Sequence, residues 1–322
     1  MASLRFEKKL CTIFSMSEKD VAEKTLESCD DVFADILNAL LFGGREVVQE
    51  DDLTDAQPLS VYKMGGGVRS QERDVAKYWR NKRIRLGLCG IDNQSAVDSD
   101  MPLRVIGYDG AAYRGQLSEK GQRERYPVVT LVLYFGTERR WTSPVSLKER
   151  LSVGDELMPF VSDYKLNLFE LAWLSEEQIA LFKSDFREVL EYLRAKRLRQ
   201  RYEGSERQLR HIEEILDIFH VLSGEDSFKS IEPGILNSAK QSAGGMKMCD
   251  VIQAIKNEGF ALGRNEGFAL GRSEGFALGE QRGEGKLLSL FAKLYAAGRA
   301  DDVQKATLDR EYLKKLLDEH QK

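Results

Sequence analysis

Two stretches of the chain carry acids at a spacing that suits metal chemistry: Asp74, and Asp92 followed by Asn93 and Gln94. Eighteen residues separate the two aspartates. That separation fits neighbouring strands joined by a connection, each delivering one carboxylate to the same edge. A divalent cation such as Mg²⁺ takes hard oxygen ligands and keeps several waters. Two carboxylates and a backbone carbonyl meet that need, and a cation held there would polarise a phosphoryl oxygen and lower the pKa of a bound water. The chemistry would be phosphodiester hydrolysis. Aspartates at strand ends also serve as turn residues, and composition alone does not single out this pair among 52 acidic residues.

Other chemistries find less support. Cysteines stand at 11, 29, 89 and 249, with no CxxC pair and no zinc-type Cys/His spacing. Reduced thiols are expected. The histidines, His211, His220 and His320, all lie in the C-terminal half, so a Cys-His or Ser-His-Asp mechanism would need a distant histidine to fold back. Gly65-Gly66-Gly67 is not followed by Gly-Lys-Ser/Thr, which excludes a phosphate loop and leaves a turn between strands. The net charge of −4 is no argument for nucleic acid, but the basic residues are clustered. Arg69, Arg73, Lys77, Arg80, Lys82, Arg83 and Arg85 form one run and Arg194–Arg201 another. Each could meet phosphates or form a solvated face. The longest apolar runs, such as Val128–Phe135, are too short to cross a bilayer, and a cytoplasmic protein without membrane contact is expected.

The elements that must position the acids follow from periodicity. Residues 1–28 read as a polar helix. Cap-type residues Ser28–Asp31 precede a second helix with apolar Phe33, Ile36, Leu37, Leu40 and Leu41 at helical spacing, ended by Gly43-Gly44. Residues 83–91 read as a strand, with Asp92-Asn93-Gln94 at its end. Pro102 suits the first turn of a helix to about Leu117. Pro127–Phe135 reads as a strand buried on both faces, and Asp163–Trp173 as one more strand. From Ser175 the pattern is helical, over Glu176–Tyr202 and then Ser205–Ser223. Further on, Asn257–Arg264 recurs as Asn265–Arg272 and Ser273–Glu280, a period of eight with glycine every four residues. Such a glycine stripe allows close helix approach, or marks a low-complexity tail. Residues 287–322 read as a helical end piece suited to self-association.

Four blocks together carry a resemblance: Asp30–Phe42, Arg73–Lys77, Gly90–Gln94 and Asp100–Tyr113. They resemble the recombination-promoting nuclease (Rpn) family, also labelled as transposases, of the PD-(D/E)XK nuclease superfamily. The resemblance covers roughly residues 20–230. It implies an α/β fold of restriction-endonuclease type, a mixed sheet core flanked by helices. The order of elements sets that domain at 1–175, with a helical extension over 176–250, the glycine-rich octapeptide repeat over 257–285 and a helical segment over 286–322. It implies that Asp74 is the first metal carboxylate, Asp92 the acid of the second motif and the main-chain carbonyl of Asn93 a third ligand. Gln94 stands in place of the superfamily lysine and would orient the attacking water without supplying positive charge. The family usually has Glu where this chain has Asp92, and aspartate is one methylene shorter. Arg104 and Tyr108 share a helix face. Arg104 would either grip a scissile phosphate or pair with Asp100. Asp31 or Asp35 would supply an outer-shell carboxylate, or else act as a cap and an exposed residue respectively.

The expected activity is that of a Mg²⁺- or Mn²⁺-dependent DNA endonuclease of the bacterial cytoplasm, associated with recombination or mobile elements. It would act on DNA and form a homo-oligomer through its C-terminal helical region. The alternative is an inactive DNA-binding or regulatory module that retains the nuclease fold.

Overall fold

A computed structural model describes residues 18–56, 59–64, 67–81, 84–118, 124–224, 228 and 246–319. Residues 1–17 of the first expected helix, Gly65-Gly66, Lys82-Arg83 and 229–245 lie outside the described residues. The chain divides into two compact units, Met1–Ile255 and Lys256–Lys322.

The first unit is built on a five-stranded mixed sheet, as the restriction-endonuclease-like reading expects. Its strands are β1 (Leu53–Asp55), β4 (Val75–Asn81), β5 (Ile84–Gln94), β6 (Val128–Tyr134) and β7 (Asn167–Glu170), and they lie side by side in that order. The pairs β1–β4 and β4–β5 are antiparallel, whereas β5–β6 and β6–β7 are parallel. A separate hairpin of β2 (Leu59–Met64) and β3 (Gly67–Glu72) precedes β4, with Met64 paired to Gly67. Helix α3 (Met101–Ser118) makes the parallel crossover from β5 to β6.

Sequence periodicity explains which face each helix covers. Helices α1 (Glu18–Glu27) and α2 (Asp30–Phe42) bury Leu26, Phe33, Ile36 and Leu37 in a core shared with Cys89, Ile91, Leu131 and Leu133 of the sheet. Gly43 ends α2 in the left-handed region, at φ 62°, a conformation that glycine adopts without strain. On the opposite face, Val132 packs with Met101, Val105 and Tyr108 of α3. Strand β6 is nearly continuous in apolar residues, Thr130 apart, because both of its faces are covered.

Two expected elements are shorter than their patterns. Of Asp163–Trp173, only Asn167–Glu170 pairs in the sheet, and Leu171–Trp173 forms a 3₁₀ turn. The helix expected over Glu176–Tyr202 is broken into α5 (Glu176–Ile179) and α6 (Phe186–Arg197) after a short α4 (Leu147–Arg150). Asp35 causes the break. Its buried carboxylate accepts the backbone N–H groups of Lys183 (2.9 Å) and Ser184 (2.7 Å) from another helix. This corrects the reading of Asp35 as exposed or as an outer-shell ligand. The next helix, α7 (Ile212–Ser223), begins later than expected. It is preceded by β8 (Gln208–Leu209), which pairs with β9 (Met246–Lys247). Phe186, Val189, Leu190, Ile215 and Phe219 of α6 and α7 join the core under the sheet.

The octapeptide repeat lies within one helix, α8 (Met248–Ala296). A Cβ added at any glycine from Gly259 to Gly285 would meet nothing within 4 Å among the described residues. In the second unit the end of α8, α9 (Ala300–Leu308) and α10 (Arg310–Glu319) enclose Leu290, Leu294, Val303, Ala306 and Leu316. No helix of the described residues is long and apolar enough to cross a membrane.

Candidate active site

Asp74 and Asp92 come to the same edge of the sheet because β4 and β5 run antiparallel, so the start of one lies beside the end of the other. Asp74 sits in the bend just before β4, and its N–H donates to Ile91 O at 2.9 Å. Its carboxylate accepts the backbone N–H of Asn93 at 2.6 Å and lies 3.1 Å from Lys24 Nζ.

The side chains that follow on β5 alternate between faces. Register places Asp92 beside Val132 and Asn93 beside Leu133. Asp92 therefore points to the α3 face, where Gln94 donates to it at 2.5 Å and the Arg104 guanidinium stands 3.5 Å away. Asn93 points to the α1 face and donates its side-chain amide to Glu27 at 2.8 Å. Arg104 also pairs with Asp98 at 3.0 Å and donates to the Tyr108 hydroxyl at 3.1 Å. The alternative pairing with Asp100 is not formed, because Asp100 is taken by Arg150 at 2.5 Å.

Helix α1 contributes two acids that the sequence reading missed, Glu23 and Glu27. Both are buried, on the same side of α1 as Ala22 and Leu26. Their four-residue spacing puts them on one helix face, but nothing in the sequence marks that face as buried. Burial raises the Glu23 carboxyl to about 7, with Lys19 opposing and Asp74 adding to the rise. Burial likewise holds Glu27 well above its usual range, with further repulsion from Glu23 and Asp74. Asp92 is raised to about 6 by burial, against the attraction of Arg104 and with the repulsion of Asp74. Asp74 is thus the charge felt by all three other acids.

Oxygen donors fit the hard-cation expectation. Glu27 Oε1 and Asn93 Oδ1 are buried without a hydrogen-bond partner, a costly state for oxygen, whereas Glu23 Oε1 and Asp92 Oδ2 have ion contacts at 3.5 Å, to Lys19 and Arg104. As the side chains stand, no three Asp, Glu, His or Cys groups among the described residues are grouped to enclose a metal ion.

Part of each basic run is consumed inside the fold. Arg73 is buried against Asp109 at 2.5 Å, and Lys77 is buried with Asp30 and Asp55, each at 2.7 Å. In the second run Arg194 pairs with Glu176, and Arg197 donates to Ala172 O at 2.6 Å. A distant histidine does fold back. His211 Nδ1 lies 3.5 Å from Cys29 Sγ, and Nε2 lies 2.9 Å from Asp31. Burial together with Glu214 and Asp31 pushes the Cys29 thiol up to about 11. It stays protonated, so this trio ties α7 to the start of α2 and does not supply a nucleophile. Cys29, Cys89 and Cys249 are free thiols.

Residues 88–221 match the model of the family described as "Putative transposase, YhgA-like", the family that the sequence blocks resemble. The matched span holds Asp92, Asn93, Gln94 and Arg104 and begins after Asp74. No curated protein and no solved structure matches the chain.

Proposed function

From this family match and the acids gathered at the end of β5, we propose that the chain is a metal-dependent endodeoxyribonuclease, associated with DNA recombination or mobile elements. One observation carries the reading. Asp74 and Asp92 reach the same edge of the sheet, and the charge of Asp74 adds to the raised pKa of Glu23, Glu27 and Asp92. Asp74, Asp92 and the Asn93 carbonyl would hold Mg²⁺ or Mn²⁺. The cation would polarise the phosphoryl oxygen and lower the pKa of a bound water. Gln94 fixes the Asp92 carboxylate by its hydrogen bond. Arg104, on the same side, is placed to meet a phosphate oxygen with its planar fork.

The test is nicking of supercoiled plasmid across a metal series. Wild type should nick with Mg²⁺ or Mn²⁺ and not with chelator, and Asp74→Ala should lose the activity. Equal nicking by both proteins removes the catalytic claim.

A specific observation favours the second reading, an inactive DNA-binding or regulatory module. Asp92 already has Gln94 at 2.5 Å and Arg104 at 3.5 Å as partners, an arrangement that satisfies the acid without a cation. Metal-independent DNA binding with no nicking in any metal would select it.

The partner reading extends to self-association. Phe260, Phe268 and Phe276 recur along the repeat helix and are about three-quarters exposed (76%, 76% and 77%). Rows of exposed aromatics mark interaction surfaces, and a second copy of the chain is the proposed partner. Deleting 257–322 should lower the mass in solution; an unchanged oligomer would defeat the idea.

A further inference from the structure

Beside the acid cluster, the ends of β5 and β6 open into a cavity of about 290 Å³. Its polar lining includes Lys19 from α1, Ser95 after β5, Glu138 and Arg139 after β6, and Lys196 from α6. Three cations therefore face one acid. Its wall also includes Tyr134, Phe135, Leu193 and Leu222, all buried in packing, and the Tyr134 ring is already stacked against Trp173. The cavity lies outside the carboxyl ends of two parallel strands, where open α/β sheets generally take their ligands.

Lys19 and Lys196 both line this cavity. Lys19 donates to the Ser95 hydroxyl at 2.5 Å, lies 3.5 Å from Glu23 and stands 5.6 Å over the Phe135 ring. Lys196 donates to the Leu222 carbonyl. Its ammonium is held below its usual range by burial and then by the charge of Lys19. Two ammonium groups that repel each other in this way gain from an anion placed between them. Lys19 also joins the cavity to the acid cluster, since one ammonium contacts both Ser95 and Glu23.

We infer that this cavity seats a backbone phosphate of a nucleic-acid strand, with Lys19, Lys196 and Arg139 as its cations. The choice of a strand over a free anion rests on the nuclease reading. A strand bound there runs over α1 and reaches the end of β5, which fixes the side from which substrate enters. Binding draws Lys19 toward phosphate and away from Glu23.

The test is binding of a labelled single-stranded oligonucleotide, by fluorescence anisotropy, with chelator present so that no cutting occurs. The proteins are wild type, Asp74→Ala, Arg139→Gln and the Arg139→Gln/Lys196→Gln double variant. Arg139 is exposed, so its replacement leaves the fold intact. Lys196→Arg keeps the charge and checks the double variant against a packing effect.

The double variant should bind about tenfold more weakly at low salt. The slope of log affinity against log salt should fall by roughly 0.7 for each phosphate that the variant no longer neutralises. Lys196→Arg should bind as wild type does. Unchanged affinity and slope in the double variant overturn the inference. So does an outcome in which inorganic phosphate protects wild type from heat, but not the double variant, while oligonucleotide affinity is equal in the two; the cavity would then serve a free anion. Loss of oligonucleotide affinity in a protein that nicks no plasmid in any metal would sustain the cavity and remove the hydrolytic reading. Nicking abolished by Asp74→Ala together with unchanged lysine-variant binding would do the reverse.

Discussion

The side-chain amide of Asn93 donates to the buried carboxylate of Glu27 at 2.8 Å, joining the last turn of α1 to the end of β5. The contact leaves Glu27 Oε1 without a partner, so Asn93 supplies the hydrogen bond that offsets the burial of this acid. Asn93→Ala should cost about 1–3 kcal/mol, the range for a buried polar group left unpaired, read as a fall in the urea midpoint. Asn93→Asp should cost more, because it sets a further negative charge against Glu27. A midpoint equal to that of wild type in Asn93→Ala would mean that the contact does not hold α1 to the sheet.

The acid cluster makes stability depend on pH with a definite sign. The Glu23 carboxyl is raised from 4.5 to about 7 and Asp92 from 3.8 to about 6. In that window the unfolded chain releases protons that the fold retains, so the unfolded state binds fewer and stability falls as pH rises. The stabilisation is complete below the unfolded values and lost as pH passes about 6 and then about 7. For Glu23 alone the change is on the order of 3 kcal/mol. A cation that takes the ionised carboxylates reverses the trend. The gain in Tm on adding Mg²⁺ or Mn²⁺ should therefore be small near pH 5 and grow toward about pH 8. A metal-induced gain that does not vary with pH would dissociate these acids from metal binding.

Arg104 is the strongest influence holding the Asp92 carboxyl down against burial. Arg104→Gln should raise the pKa of Asp92 further. If hydrolysis needs ionised Asp92, the acid limb of the pH–rate profile should move to higher pH in the variant. A uniform loss of rate with an unmoved limb would instead assign Arg104 to phosphate contact alone.

The sequence made the sheet and the location of Asp92 legible because both rest on local signals. Apolar runs defined β5 and β6, and Pro102 marked the start of α3 to within one residue. Glu23 and Glu27 were not legible, since a polar helix at 1–28 gave no sign that one face would be buried against the sheet end. The broken helix at 180–185 escaped for a related reason. Asp35 caps Lys183 and Ser184 from 148 and 149 residues away, and local periodicity carries no trace of so distant a cap. Arg73 and Lys77 read as members of a surface run because charge alone does not distinguish a solvated face from a buried pair.

Arg73 provides the last prediction, because it fixes the residue beside it. Its guanidinium pairs with Asp109 at 2.5 Å, and its Nε–H donates to the Thr130 hydroxyl at 3.0 Å. Thr130 in turn donates to Asp109 at 2.6 Å, and the Tyr164 hydroxyl donates to the other carboxylate oxygen. Both charged side chains are only 2% exposed. The pair therefore clamps the backbone from which Asp74 projects onto α3 and β6. Removing one member of a buried ion pair strands the other charge and typically costs 3–5 kcal/mol. Asp109→Ala should cost about that much in urea unfolding, while Tyr164→Phe should cost about 1 kcal/mol, the worth of a single hydrogen bond. Gly90 belongs to the same arrangement, since a Cβ there would come within 2.8 Å of Arg73 Nε. Gly90→Ala should displace Arg73 and lower nicking activity more than it lowers Tm, because Asp74 moves with its neighbour. An alanine at 90 that leaves both quantities at wild-type values would show that the Arg73 clamp does not position Asp74.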